Sequence, residues 1–382
     1  MSYILKLAGW YPSKVDAYNG DFVQRHAKAI ALYQRVVVIF AVKSSSVTQL
    51  TIETTNTTNN LTEIIAYYPK KKYLDKLYSQ YYYAKAFLKI IKKLFATEGK
   101  PKLVHVNIAW KAGLWALYLY KKYKMPYIIT ENWTAYHKAD PNYILNKKIT
   151  FKLLKLVFQN AAYFVPVTFN LSLVCNALFK INLPCIVVEN AVDTKLFFPI
   201  ETTSENMRII HISTMNYQKN VKGLLFAFRD VLLEHPGIEI TLVGPVSETV
   251  EGLIKIEPVL KRLKFTGNIP YHEVAKLVQN SDLLILFSRY ENLPCVILEA
   301  LCAGVTVIST RVGGIHEVIN QSNGFLINNG DTLGICWEVF SYSIKNPSFN
   351  KAAIAADAAS KYSYEVIGKK YNDAYEKILG LK

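Results

Sequence analysis

The sequence predicts an α/β protein of two domains built on parallel sheets, and three observations carry that reading. Short apolar runs alternate with stretches of helical period along most of the chain, the pattern of strands joined by crossover helices. At 382 residues, 51% of them apolar, the chain is long enough for two hydrophobic cores. The third observation is Ser281–Glu317, SDLLILFSRYENLPCVILEALCAGVTVISTRVGGIHE, which reads as one complete βαβ unit. Its apolar run Leu283–Phe287 is too short for an ordinary helix and reads as a buried strand. Pro294 suits the first position of a helix carrying Cys295–Ala303. Val305–Ser309 is the second strand, ending at Gly313-Gly314, and the crossover is expected to be right-handed.

The chemistry of this unit lies at its strand-to-helix turn. A helix N-terminus presents unpaired N–H groups and about half a positive charge, which suits an anion such as phosphate. Glu291 precedes the helix, and Glu299 follows Pro294 by about 7.5 Å along the axis. Helical side chains lean toward the N-terminus, so Glu299 is expected to reach back to the anion. Carboxylates accept hydrogen bonds from sugar hydroxyls. An anion site with a hydroxyl-binding acid on each side fits a nucleotide sugar. An ordinary helix start flanked by two exposed glutamates fits the same residues.

Glu291-x7-Glu299 within ENLPCVILEALCAG, followed by VGGIHE, resembles the donor-site signature of retaining glycosyltransferases of family 4. The resemblance covers most of the chain, strongly in the second half and more loosely in the first. It implies the GT-B fold: two Rossmann-like domains facing a cleft, with a last helix, about 365–379, crossing back to the first domain. Residues 1–195 would form the acceptor-side domain and 196–382 the nucleotide-sugar donor domain.

In chain order, Tyr3–Leu7 reads as a strand entering the loop Gly9–Gly20, followed by a helix from about Phe22 to Tyr33 and a strand Val36–Ala41. Ligand loops of parallel sheets lie outside the carboxyl ends of strands. In the family the corresponding loop closes on the reacting sugar, a place filled here by Gly20 and Asp21. Val47–Thr62, rich in Thr and Asn, reads as exposed loop or edge strand. Tyr67–Phe95 is rich in Tyr and Lys. Its latter part puts Ala84, Phe87, Leu88, Ile91 and Leu94 on one helical face and Lys85, Lys89, Lys92 and Lys93 on the other. Such a helix can rest on an anionic membrane surface, or it can cover a core with a solvated lysine face.

Strands are expected at Leu103–Val106, Tyr127–Thr130, Phe164–Val167 and Cys185–Asp193, with a helix at about 111–123. Where many family members carry a His facing the reacting sugar, this chain has Asn132, with His137 nearby. NAVDTKLFFP resembles the segment at the family's domain junction, and a polar linker is expected near Lys195–Asn206. Arg208–Ser213 begins the second domain. STMNYQKNVKGLLFAF resembles the family's donor-phosphate segment, making Lys219 the diphosphate lysine, with Lys222 as runner-up. Thr214, beside Ser213, replaces the usual Arg, so either donor affinity is lower or another base fills in, with Arg289 the candidate. Gly244, after the strand Ile238–Val243, and Gly267, in a segment resembling the one near the nucleotide base, complete the donor side. A helix Tyr271–Gln279 leads back to the βαβ unit.

The resemblance thus implies Glu291, Lys219 and Asn132 at the reacting centre. Glu299, Asn292, Leu293, Pro294, Ser213, Thr214, Arg289, Gly267 and Gly244 would surround the donor, with Gly20, Asp21 and His137 on the acceptor side. It also implies a front-face substitution in which the leaving phosphate helps take the acceptor's proton. No metal pair stands at a suitable place, so neither metal nor cofactor is expected; the donor is a substrate, with UDP-sugars favoured. A saccharide or lipid-linked acceptor is expected, as in cell-envelope polysaccharide or lipopolysaccharide synthesis.

Charge is uneven. Residues 1–200 hold 27 Lys+Arg against 10 Asp+Glu, and residues 201–382 hold 18 against 19. The split points to an anionic partner for the first half: nucleic acid, an anionic membrane surface or a phosphorylated acceptor. No nucleic-acid module is recognised, so no nucleic-acid partner is expected. No G-x-G-x-x-G follows a first strand, which argues against a nicotinamide oxidoreductase. The alternatives are a non-catalytic sugar- or nucleotide-binding relative and, behind it, a basic nucleic-acid-binding protein that uses the first half. Five cysteines without C-x-x-C spacing point to neither zinc nor a disulfide framework. No apolar run approaches the ~18 residues of a membrane span and no cleavable signal pattern is evident. A cytoplasmic protein, or one peripheral on the inner face of the membrane, is expected.

Overall fold

The computed structural model describes residues 3–72, 75–201, 206–345 and 349–380. The first sheet contains β1 (Ile4–Ala8), β2 (Val36–Ser44), β3 (Thr51–Thr58), β4 (Leu61–Pro69), β5 (Leu103–Asn107), β6 (Tyr127–Glu131) and β7 (Tyr163–Pro166). Their order is β3-β4-β2-β1-β5-β6-β7, and only β3 runs antiparallel to its neighbour. The second sheet contains β8 (Arg208–Ile212), β9 (Glu239–Val243), β10 (Lys264–Gly267), β11 (Leu283–Leu286), β12 (Thr306–Thr310) and β13 (Gly324–Ile327). It is parallel throughout, in the order β10-β9-β8-β11-β12-β13. Strand order reverses between β1 and β5 in one sheet and between β8 and β11 in the other. Crevices open at the carboxyl ends of strands at such switch points, and the loops after β1, β8 and β11 meet there.

The chain's last helix, Tyr364–Ile378, crosses back and packs on the helix Asp21–Ala31 of the first domain. Gly368 permits the approach, since a Cβ there would lie 2.2 Å from the Ala29 carbonyl oxygen. The buried hydroxyl of Tyr375 is hydrogen-bonded to His105 Nδ1 at 2.6 Å. Tyr371 packs edge-on against His26. Between them lies Lys6, wholly buried, its ammonium 5.8 Å from the Tyr371 ring centroid and without a hydrogen bond. Burial holds its pKa well below the ordinary lysine value.

Several elements depart from the sequence reading. Val47–Thr62 holds β3, the edge strand its composition offered, but the strand β4 beginning at Leu61 extends through Tyr67 and Tyr68 to Pro69. The helix of the Tyr/Lys segment is Asp75–Thr97; Tyr73 and Leu74 lie outside the described residues. Its core face is Ala86, Phe87, Ile90, Ile91 and Leu94, while Leu88 stays 38% exposed. Cys185–Asp193 is not a strand. It runs beside β7 as an extended connector with an isolated bridge at Cys185, because Pro184 and Pro166 each lack an N–H with which to continue a ladder. The expected linker falls partly at 202–205, outside the described residues. The five cysteines are free. Among the described residues no helix is long and apolar enough to cross a membrane.

Candidate active site

A cleft of about 520 Å³ opens between the domains where these loops converge. The helix Cys295–Cys302 points its N-terminal end into it, and Pro294, Cys295 and Val296 line the wall. Ser213, Thr214, Lys219 and Gly244 line the same space, facing Asp21 and Arg25 of the first domain. Gly244 has φ 134°, and a Cβ there would lie 1.9 Å from the Ser213 carbonyl oxygen. Only glycine lets the chain pass so close. Ser213 is oriented by buried His211. Nδ1 of that ring donates to the Ile285 carbonyl at 2.8 Å, so Nε2 accepts from the Ser213 hydroxyl, also at 2.8 Å.

Glu299 is buried and forms an ion pair with Arg25. Its Oε1 also accepts from the Tyr271 hydroxyl at 2.7 Å, and the guanidinium lies 5.4 Å from the Tyr271 ring centroid. Arg25 bridges on to Asp21 at 3.0 Å. Both partners meet the same carboxylate oxygen, which leaves Oε2 for a further donor. Glu299 therefore does not stand alone before the helix mouth as its leaning direction suggested; a cation from the opposite domain holds it. Neither Arg25 nor Tyr271 was singled out by the motifs. The signal was present as Asp21 and Arg25 spaced i, i+4 on the helix after the β1 loop.

Glu291 sits one layer behind the cleft. Its Oε1 accepts from Lys219 Nζ at 2.5 Å and the Ser288 hydroxyl at 2.8 Å, and its Oε2 from Gln218 at 3.0 Å. Gly313, φ 55°, lies against its backbone, where a Cβ would come within 1.8 Å of the Glu291 carbonyl oxygen. The structure thus gives the two motif acids one cation each: Lys219 for Glu291, Arg25 for Glu299.

Amides close the domains beside this pair. Asn132 Nδ2 donates to Asn190 Oδ1 at 2.8 Å, and Asn190 Nδ2 donates to the Leu293 carbonyl at 2.8 Å. Asn292 Nδ2 donates to the Asn132 and Trp133 carbonyls, and its Oδ1 meets His137 Nε2 at 2.5 Å. His137 is therefore a half-buried interdomain contact. Asn132 Oδ1 is buried without a hydrogen bond. Glu317 of the second domain accepts from the Phe169 and Asn170 N–H groups, capping a helix of the first.

Arg289 does not line this cleft. Its guanidinium bonds Asn220 at 2.6 Å and stacks on Tyr217 at 4.6 Å, beside a separate recess. Gly267 bridges to Gly244 beneath the cleft wall. Gly20, φ 70°, starts the helix Asp21–Ala31 against Trp10. Among the described residues, no group of three or more His, Cys, Asp or Glu is placed to hold a metal ion.

Two parallel-sheet domains, a returning last helix and a cleft that combines a helix mouth with paired acids and cations define a protein of the GT-B class. Residues 192–336, which take in the whole second sheet, match the family described as glycosyl transferases group 1. Over 214 residues the chain is 31% identical to N-acetyl-alpha-D-glucosaminyl L-malate synthase of Bacillus anthracis, covering 53% of this chain and 55% of that one. The chain spans about half the length of the first curated relatives it matches. Among solved structures it is similar to sucrose-phosphate synthase from Thermosynechococcus elongatus, with TM-score 0.80, 16% identity and all of both chains covered. It is also similar to Anabaena HepE in complex with UDP, with TM-score 0.73, 16% identity, and 98% of this chain and 100% of that chain covered. These likenesses establish the GT-B fold.

Proposed function

We propose that this protein is a retaining glycosyltransferase that binds a nucleoside diphosphate sugar, UDP-sugars foremost, in the interdomain cleft. It passes the sugar to a saccharide or lipid-linked acceptor in cell-envelope polysaccharide synthesis on the inner face of the membrane. The observation that carries the reading is the convergence of the Cys295–Cys302 helix mouth, Lys219, Arg25 and Glu299 on one cleft. The similarity to a UDP-bound structure supports the choice of donor.

In this reading the helix mouth and Lys219 neutralise charge that develops on the departing diphosphate. Arg25 supplies the second cation that Thr214 withholds. Glu299 Oε2 accepts from ribose hydroxyls, while Glu291 acts from behind the cleft wall by fixing Lys219. The anomeric carbon–oxygen bond to phosphate breaks as the acceptor oxygen attacks from the same face, and the acceptor's proton passes to the leaving phosphate oxygen. With two side-chain cations in place, transfer is expected to proceed unchanged in a chelator.

The test is transfer and UDP release with UDP-, GDP- and ADP-sugars, for the wild type, Glu299→Ala and Lys219→Ala. Loss of one donor-binding interaction is expected in the first. In the second, roughly a 10²–10³-fold fall in kcat is expected. Unchanged transfer and donor affinity in both variants overturns the assignment. Donor binding without transfer to any acceptor favours the non-catalytic relative.

A further inference from the structure

A second cavity, about 870 Å³ and larger than the cleft, opens in the first domain among the helices Asp75–Thr97, Ala109–Tyr123 and Lys148–Gln159. Its wall is apolar and aromatic: Tyr83, Trp110, Leu114, Trp115, Tyr118 and Leu153. Gly113 sets the close approach beneath it, since a Cβ there would lie 2.6 Å from Val157. Lys76 and Lys111 also line the cavity, beside Lys43, which is paired with Asp75 at 2.6 Å.

Three features set this groove apart from a packing defect. Lys111 adopts φ 65°, ψ −56°, breaking the helix where its ammonium stands 5.8 Å from the Tyr83 ring centroid. Non-glycine residues hold such conformations only where the surroundings impose them, and such sites cluster where ligands bind. The Ser79 hydroxyl is buried at the wall without a hydrogen bond. Outside the mouth, Leu77 and Tyr81 are 62% and 57% exposed on one flanking helix, and Ile149 is 77% exposed on another. Lysines flank them in sequence: Lys76, Lys85 and Lys89 on the first helix, Lys148 and Lys152 on the other.

An apolar groove with Lys76 and Lys111 in its lining, set in a surface of apolar side chains and lysines, is complementary to an anionic amphiphile held in a bilayer. We propose that the groove takes the hydrocarbon chain of an anionic phospholipid whose phosphate rests on Lys76 and Lys111. The first domain then docks by a lipid drawn partly out of the membrane as well as by surface charge. Nothing in this proposal requires the interdomain cleft.

The test uses the full chain with vesicles of phosphatidylglycerol in phosphatidylcholine whose acyl chains carry bromine, which quenches tryptophan on contact. Trp110 and Trp115 stand in the groove wall, so wild-type emission is expected to be quenched. The conservative pair Trp110→Phe/Trp115→Phe is expected to lose most of that quenching while still sedimenting with vesicles. Leu88→Glu changes an exposed lining residue and is expected to abolish quenching without changing the thermal midpoint. Lys76→Ala and Lys111→Ala are each expected to raise the half-saturating lipid concentration roughly fivefold. Vesicle binding without quenching, or quenching that survives the tryptophan pair or Leu88→Glu, overturns the groove. Equal binding to phosphatidylcholine alone overturns the headgroup contact.

Discussion

Arg25 and Glu299 stand 274 residues apart and form a buried ion pair across the domain boundary at the wall of the cleft. A buried pair that loses one partner leaves an uncompensated charge, a loss on the order of 3–5 kcal/mol. Arg25→Met is therefore expected to lower the thermal midpoint markedly. Arg25→Met/Glu299→Gln, with no charge left to bury, is expected to recover much of it. Strictly additive effects in scanning calorimetry would show that the pair does not couple the domains.

Two glycines of left-handed φ separate backbone strain from crowding. Gly267 has φ 68° and open space around a built Cβ, so Gly267→Ala is expected to cost about 1–2 kcal/mol and leave UDP affinity intact. Gly244→Ala drives a methyl into the Ser213 carbonyl. It is expected to weaken UDP binding at least tenfold, an order-of-magnitude figure for a displaced cleft wall. Isothermal titration with UDP distinguishes them, and equal affinities would reject Gly244 as part of the wall.

Stability is expected to fall as the solution is acidified from about pH 6.5 toward 4. Burial holds His211 down at about 4, against about 6.5 in the unfolded chain. Between those values the unfolded chain binds a proton that the folded chain refuses. The His211 contribution is thus complete above 6.5 and is lost toward 4, amounting to about 3 kcal/mol. His26 and His105 are shifted the same way by burial. His211→Asn should make denaturation midpoints measurably less steep in pH across this window; an unchanged slope rejects the contribution.

Lys6→Met is expected to stabilise the protein by roughly 1–3 kcal/mol near neutral pH, because a buried amine without a partner gives way to a side chain of similar length. Folded Lys6 is held neutral while the unfolded lysine is charged. The gain should therefore shrink as pH rises toward the ordinary lysine value. A destabilised Lys6→Met would mean that the ammonium has a partner within this core.

The second domain was legible because its strands are short, largely apolar and separated by strong turn signals. The helix Tyr271–Gln279 lies where its period put it. Glu299 was singled out by its place on the helix and Lys219 by the family resemblance alone, and the structure puts both at the cleft wall. Arg25 was not, because no local pattern announces a partner on another domain. Arg289 looked suitable by proximity in sequence to Glu291, yet its stacking on Tyr217 places it elsewhere. Cys185–Asp193 has strand composition, and the two prolines beside it decide against a ladder. The face of Asp75–Thr97 was misjudged at Leu88, which the nearby groove leaves exposed.

The helix Tyr364–Ile378 supplies Tyr371 and Tyr375 to a core shared with Ile4, Ile30, Val36, Ile128 and Val165 of the first domain. The gene therefore writes the amino-terminal unit in two instalments, with the entire carboxyl-terminal sheet between them. A nascent chain leaving the ribosome must hold that half-made core open until Tyr364–Ile378 emerges, after the whole intervening sheet has been made.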